Sequence, residues 1–407
     1  MQYTFKIYKV TFWLFIIISN ISLANAQKGC IDSEATNYNS QAKFNDGSCI
    51  YPVTQKNPAL IAKLNAVITE SSGLVLTDNI LWTHNDSGNP SSIYNIDTVD
   101  GHTIQTVIID NYPNNDWEDI TADSNYIYIG DHGNNNGTRT NLKILKIPKS
   151  AISNSQTVHV NAEAISFSYS DQTSFVSSSN HNFDCEALIS IKDSLYIFTK
   201  DHGDLKTKVY KVSKNPGQYT LTAYTAFNVN GLITSADYQP DTKELILIGY
   251  KNGHTYPFLW YFNDFKNDSF FSGNKRRIEI GNSSDWQTEG IAWSGTDRIL
   301  ISCETSGANP ASIYNSNKSF NQLSVKNIFK QNDINIYPNP ANQNIEIENL
   351  AQEWNYSICN LNGVIMITGT INPDSRVIDI KNFDSGIYLI TLSTNTGESQ
   401  TIKFEKI

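Results

Sequence analysis

Between residues 59 and 330, short apolar runs alternate with polar turns rich in Gly, Asn, Asp and Ser, and helical periodicity is almost absent. One unit recurs five times: an opening strand, a turn, a strongly apolar second strand, a polar loop and a third strand. The openings are Ser72–Val75, Glu118–Thr121, Glu186–Ile189, Ser235–Tyr238 and Glu289–Ala292. The apolar second strands are Ile80–Thr83, Tyr126–Ile129, Leu195–Phe198, Leu245–Ile248 and Ile299–Ser302. Third strands are Ser92–Asn95, Leu142–Leu145, Val209–Val212, Phe258–Tyr261 and Ser312–Asn315. Such units bury their faces only by stacking on one another. Four short strands per unit at this spacing predict an all-β chain built as a five-bladed β-propeller. Leu60–Leu64 is placed to close the ring on the last blade as its outer strand. A six-bladed ring is the alternative, with a divergent blade hidden between Ala151 and Asn182.

The flanking segments are of other kinds. Lys6 and Lys9, the apolar run from Val10 to Ile18, and Ala24-Asn25-Ala26 read as a secretory signal over residues 1–26. The run is shorter than the roughly 20 residues a membrane span needs, so no transmembrane helix is expected in the mature chain. Residues 27–51 form a small module bounded by Cys30 and Cys49, which an oxidising compartment would join as a disulfide. Asp32, Asn37, Asn39 and Asp46 within it read as Asx-turn residues, with calcium ligation as the alternative. Residues 52–58 read as a linker. Cys185, Cys303 and Cys359 sit in apolar strand patterns and read as buried free thiols.

The last segment, 333–407, alternates like a small C-terminal β-sandwich. It carries Tyr337-Pro338-Asn339-Pro340, Gly386-Ile387-Tyr388-Leu389 and the terminal Lys403-Phe404-Glu405-Lys406. These residues resemble the C-terminal sorting domain of the type IX secretion system. The resemblance implies export by that machinery as a partner, removal of the tail, and a secreted or outer-membrane cell-surface location. The formal net charge of −10 lacks the basic face that nucleic acid requires.

Candidate chemistry gathers where the repeats begin. Glu118, Glu186 and Glu289 open three units at equivalent positions. Glu70 stands two residues before Ser72, and Asp237 two after Ser235. Carboxylates converging in a channel repel, so either some hold protons or a cation neutralises them. Oxygen-only donors make calcium the candidate cofactor. The alternative is that each carboxylate ties one blade's backbone to the next. A second set follows the apolar strands: His84 and Asp86, Asp131 and His132, Lys200, Asp201 and His202, and Glu304. This rim suits an oxyanion, a sugar or a general base, although Asp beside Gly also makes ordinary turns. No nucleophile elbow, phosphate loop or His-Glu-x-x-His run is present.

Glu70-Ser71-Ser72-Gly73-Leu74, Asn115-Asp116-Trp117-Glu118-Asp119-Ile120 and Gly130-Asp131-His132-Gly133 are similar to segments of secreted bacterial propellers without assigned activity. More distantly, the region is similar to phytase-like esterase and SdiA-regulated propellers. Neither resemblance implies a reaction. The sequence therefore leaves three expectations: a glycan- or protein-binding propeller, calcium-stabilised at its channel mouth; a metal-dependent phosphoester, ester or lactone hydrolase; and a structural or adhesive scaffold.

Overall fold

The computed structural model describes residues 27–251, 255–281, 286–307, 309–318, 334–350, 352–361, 364–394 and 399–407. The signal expected over 1–26 lies outside them. The chain divides into two units, residues 1–322 and 323–407.

Among the described residues, the first unit holds five antiparallel sheets of the expected three-strand core, each extended outward. Their first strands are Ser71–Thr77, Trp117–Ala122, Cys185–Ile191, Leu232–Gln239 and Thr288–Trp293. Each contacts the next, and the fifth returns to the first, so the five stand in a closed ring. Fourth strands are Thr103–Ile109, Glu163–Tyr169, Ala223–Phe227 and Asn274–Ile280 in the first four sheets. In the fifth sheet that place goes to Ala59–Lys63, which pairs antiparallel with Ser312–Asn317. The closure expected from Leu60–Leu64 is thus present. Five hydrophobic clusters fill the five seams between adjacent sheets. Every seam therefore buries an apolar face that a single sheet would expose to water.

The stretch 151–182 makes no sheet of its own. Thr157–Val160 extends the first sheet, in parallel with Thr103–Ile109, and Glu163–Tyr169 belongs to the second. The segment read as a linker contains Thr54–Lys56, a fifth strand parallel to Ile278–Ile280.

The Cys30–Cys49 disulfide is formed. In its module Asp32, Asn39 and Asp46 each accept the backbone N–H two residues ahead, at 2.9–3.0 Å. Asn37 donates to Ser48 O and accepts from Ile50 N. These side chains are engaged in turns, as Asx residues commonly are. The module is fastened to the fourth sheet by Arg276 Nη1 on Glu34 Oε2 at 2.5 Å and by Asn45 Nδ2 on Asp264 Oδ2 at 2.6 Å. Cys185 and Cys303 are buried free thiols as expected; Cys359 is only half-buried, because its strand faces water there.

The second unit contains a three-stranded sheet (Asn335–Tyr337, Asn344–Glu348, Val377–Asp379) and a four-stranded one (Trp354–Asn360, Ile365–Ile371, Gly386–Ser393, Ser399–Lys406). Ile345, Ile347, Ile358, Ile390, Leu392 and Phe404 make its core.

Candidate functional site

Each inner strand departs from regular pairing at its start. A β-bulge falls between Ser72 and Leu74, Cys185 and Ala187, Ile233 and Ser235, and Thr288 and Gly290, and opposite Gly130/Asp131 in the second sheet. The unpaired residues are Gly73, Glu118, Glu186, Thr234 and Glu289. A bulge frees one residue from the ladder and re-aims its side chain. Here it turns three Glu side chains away from the regular two-residue alternation.

The hydroxyls at this level tie neighbouring sheets. Ser72 Oγ donates to Glu118 O at 2.7 Å, and Thr234 Oγ1 donates to Thr288 O at 2.6 Å. The deepest tie is Asp119, fully buried. Its Oδ1 accepts from Ile120 N at 2.9 Å and Ser235 Oγ at 3.0 Å; its Oδ2 accepts from Leu188 N at 2.8 Å and Ala236 N at 3.3 Å. One carboxylate thereby joins the second, third and fourth inner strands.

The three Glu residues meet side chains rather than backbone: the Glu118 and Glu186 carboxyls face each other across their seam, and Glu289 meets Gln287 and Tyr250. Glu118 Oε1 is buried without a hydrogen-bond partner. Glu186 Oε1 lies 3.2 Å from Lys200 Nζ, an ion pair whose angle does not make a hydrogen bond. Lys200 Nζ also sits 5.2 Å from the centre of the Tyr250 ring. Burial raises Glu118 well above the usual carboxylate range, reinforced by the charges of Glu186, Asp86, Asp116 and Asp184. Burial also raises Glu186, against the pull of Lys200, and pushes Glu289 up to about 7. Glu304 is pushed to about 9 by burial and by Glu289, Asp86 and Glu70. Asp116 reaches about 6, again by burial and then Asp86. Burial would raise Asp184 too, but the His202 hydrogen bond and Lys200 outweigh it and hold it low.

The cluster thus unites Glu118, Glu186, Glu289, Glu70, Asp86, Glu304 and Lys200 with two acids the sequence reading passed over, Asp116 and Asp184. Their signal was present. Asp116 and Asp184 precede Glu118 and Glu186 by two residues, as Glu70 precedes Ser72. The second strands place their partners opposite: Asp86 N donates to Glu70 O at 3.0 Å, Lys200 N to Asp184 O at 2.9 Å, and Glu304 N to Gln287 O at 3.0 Å. In the second sheet the matching bond comes from Gly133 N to Asp116 O, at 3.2 Å. A Cβ on Gly133 would lie 1.9 Å from Glu118 Oε1 and 2.6 Å from Asp116 Oδ2. The absent side chain is the space into which Glu118 folds.

Other candidates lie elsewhere. Asp237 is at the opposite end of its inner strand, where its carboxylate accepts from Trp293 N at 2.7 Å and Tyr238 N at 2.8 Å. It lines a separate cavity of about 520 Å³ with Val75, Ala122, Ser190 and Gly295. His84 and His132 are sealed in seams. His84 packs edge-on against Trp117, ring centres 5.7 Å apart, and its Nδ1 meets Asn85 O. His132 Nδ1 meets Cys185 O at 2.8 Å. Burial lowers both to about 4, which keeps the rings neutral. Asp131 is consumed by Arg139 at 2.7 Å, Lys143 at 3.0 Å and Asn115 at 2.9 Å. Asp201 is buried beside the Thr199 hydroxyl, and its charged neighbours are Asp204, Lys208 and Lys206, not the cluster. His202 stands at the rim, 3.2 Å from Asp184 Oδ2.

Residues 335–405 match the family described as the secretion system C-terminal sorting domain. The chain accordingly carries a type IX sorting domain and is a secreted or cell-surface protein with a β-propeller-like first unit. No helix among the described residues is long and apolar enough to cross a membrane. No curated protein matches the chain. Among solved structures it is similar to the PQQ-bound aldose sugar dehydrogenase of Streptomyces coelicolor, at 10% identity and TM-score 0.39 over 63% of this chain and 95% of that one. It is also similar to a GH43_1 enzyme from Xanthomonas citri, at 9% identity and TM-score 0.39 over 64% and 90%. A protein from Lactobacillus plantarum shares 12% identity at TM-score 0.31 over 82% and 84%. Likenesses this slight carry no argument about activity.

Proposed function

We propose that the first unit is a five-bladed β-propeller followed by a β-sandwich sorting domain. In this reading the exported protein binds an extracellular ligand, a glycan or a protein surface, at its acidic channel mouth, with calcium stabilising the carboxylates. One observation carries the reading. At the bulges, Ser72 and Thr234 hydrogen-bond across the seams, whereas Glu118 and Glu186 leave buried oxygens without hydrogen bonds. Buried polar groups are normally satisfied, and the exceptions concentrate at functional sites. The test is glycan-array and calorimetric binding by the secreted protein and by a Glu118→Gln/Glu186→Gln/Glu289→Gln variant. Binding lost in a variant that unfolds as cooperatively as the parent supports the reading. A ligand bound equally well by both would move the site away from the mouth.

A hydrolase is the second reading. It is favoured by the divergence of acids within the cluster, with Asp184 held low and Glu304 pushed to about 9. Acids with opposed shifts in one site suit general base and general acid roles. Turnover of an ester, lactone or phosphoester that disappears in Glu304→Gln would establish it, and silence across all three classes would remove it.

A further inference from the structure

We propose that a single divalent cation of the calcium type binds at the seam between the first and second sheets, held by Asp86, Asp116 and Glu118. This deepens the channel-mouth reading and rests on it, but it places the ion to one side of the Glu118–Glu186–Glu289 ring. One carboxylate oxygen from each of Asp86, Asp116 and Glu118 lies within 4.8 Å of the others. That spacing suits hard oxygen ligands around one ion. Glu118, only 4% exposed, supplies an independent sign, since its Oε1 has no hydrogen-bond partner. The space left by Gly133 shows where that oxygen points, because a Cβ there would touch both Glu118 Oε1 and Asp116 Oδ2.

Charge decides the stoichiometry. On ligation, which releases their protons, Asp86, Asp116 and Glu118 would bring three negative charges, and Arg139, 3.8 Å from Asp116, returns one positive while Lys143 meets the charge of Asp131. The remaining two match a divalent ion. On the far side of the mouth, Glu186 and Glu289 are already balanced in part by Lys200, which occupies that space as a tethered cation. The donors are all oxygens. The group contains carboxylates and no imidazole, and oxygen donors alone suit a hard cation rather than zinc. Asp86 comes from the first sheet and Asp116 and Glu118 from the second. The ion therefore clamps that seam and fixes the turn over Ser87–Asn89, whose Asn89 already holds Glu70.

The test is calcium calorimetry and terbium(III) luminescence on the whole secreted protein, the latter sensitised by Trp117, which adjoins Glu118 in sequence. Asp116→Asn is expected to weaken binding by about tenfold or more, a loss of the size seen when a metal site is disturbed. Because it removes a charge from a crowded cluster, the variant without the ion should melt no lower than the parent. Glu289→Gln and Asp100→Asn should bind one ion as the parent does; Asp100 belongs to a separate exposed group with Asp97 and His102. No binding by the parent overturns the proposal, as does binding lost in Asp100→Asn. Equal loss in Glu289→Gln and Asp116→Asn puts the ion at the ring centre and overturns this placement. Ion binding as assigned, with no glycan or protein ligand, would instead remove only the ligand-binding reading.

Discussion

Replacing Lys200 with Met keeps most of the apolar stem and removes the ammonium that pairs with Glu186 and acts on Glu289 through its charge. Lys200 Nζ is 3.2 Å from Glu186 Oε1, with the two side chains 7% and 3% exposed. Breaking a buried pair costs about 3–5 kcal/mol when the survivor stays charged. Here the survivors can take up protons, and that makes the cost depend on pH. Burial already holds Glu186 above its ordinary range and Glu289 at about 7, while Lys200 opposes both shifts. Without Lys200 both acids rise further. A carboxyl with a raised folded pKa contributes stability that is fully present below its unfolded value. That contribution is lost as pH rises through the folded value. The deficit of Lys200→Met should therefore be small near pH 5 and grow to about 3–5 kcal/mol by pH 8. For a unit of this size that is roughly 6–20 °C in Tm at the higher pH. Guanidinium unfolding of the secreted protein at both pH values, followed by Trp fluorescence, reads the difference. Adding Glu186→Gln removes the stranded charge and should recover most of the loss at pH 8. A deficit equal at both pH values, or a double variant no better than Lys200→Met, would refute the reasoning.

Asp119→Ala strands the buried N–H groups of Leu188 and Ala236 and the Ser235 hydroxyl. Each unsatisfied group costs about 1–3 kcal/mol, so the sum is several kcal/mol in chemical unfolding; a loss below about 1 kcal/mol would deny the three-strand tie. Gly133→Ala forces Glu118 out of its niche. It should cost about 1–3 kcal/mol as an overpacked site and abolish terbium luminescence. His84 and His132 hold fewer protons folded than unfolded. Their contribution is complete above about pH 6.5 and is lost as pH falls through about 4. The buried acids titrate in the opposite sense, so the His contribution is read as a difference: the stability gap between the parent and His132→Gln should narrow as pH falls from 7 to 4.

Much of this architecture is written locally. Two-residue alternation and turn residues are properties of a few neighbours, so the three-strand cores of all five sheets were legible. So were the closing strand near Leu60, the disulfide and the sorting tail. The outer strands were not. Thr157–Val160 and Gly217–Leu221 join sheets in parallel, and their partners are set by the packing of adjacent sheets, which no local signal announces.

The site shows the same division. That Glu118, Glu186 and Glu289 are equivalent could be read from the repeats. That they meet Asp86, Asp116, Asp184 and Glu304, and that Asp237 does not, could not. Side-chain parity along a strand holds only while the ladder is regular, and a bulge at the head of every inner strand breaks it. In the fourth sheet the bulge sets Thr234 at the level of the Glu residues, where the repeat pattern alone had pointed to Ser235. The sequence by itself determined which segments are strands and which acids are available, because both follow from residue type and near neighbours. Which acids share a volume without hydrogen bonds was decided by the tertiary structure, through the bulges, the closed ring and the empty place at Gly133.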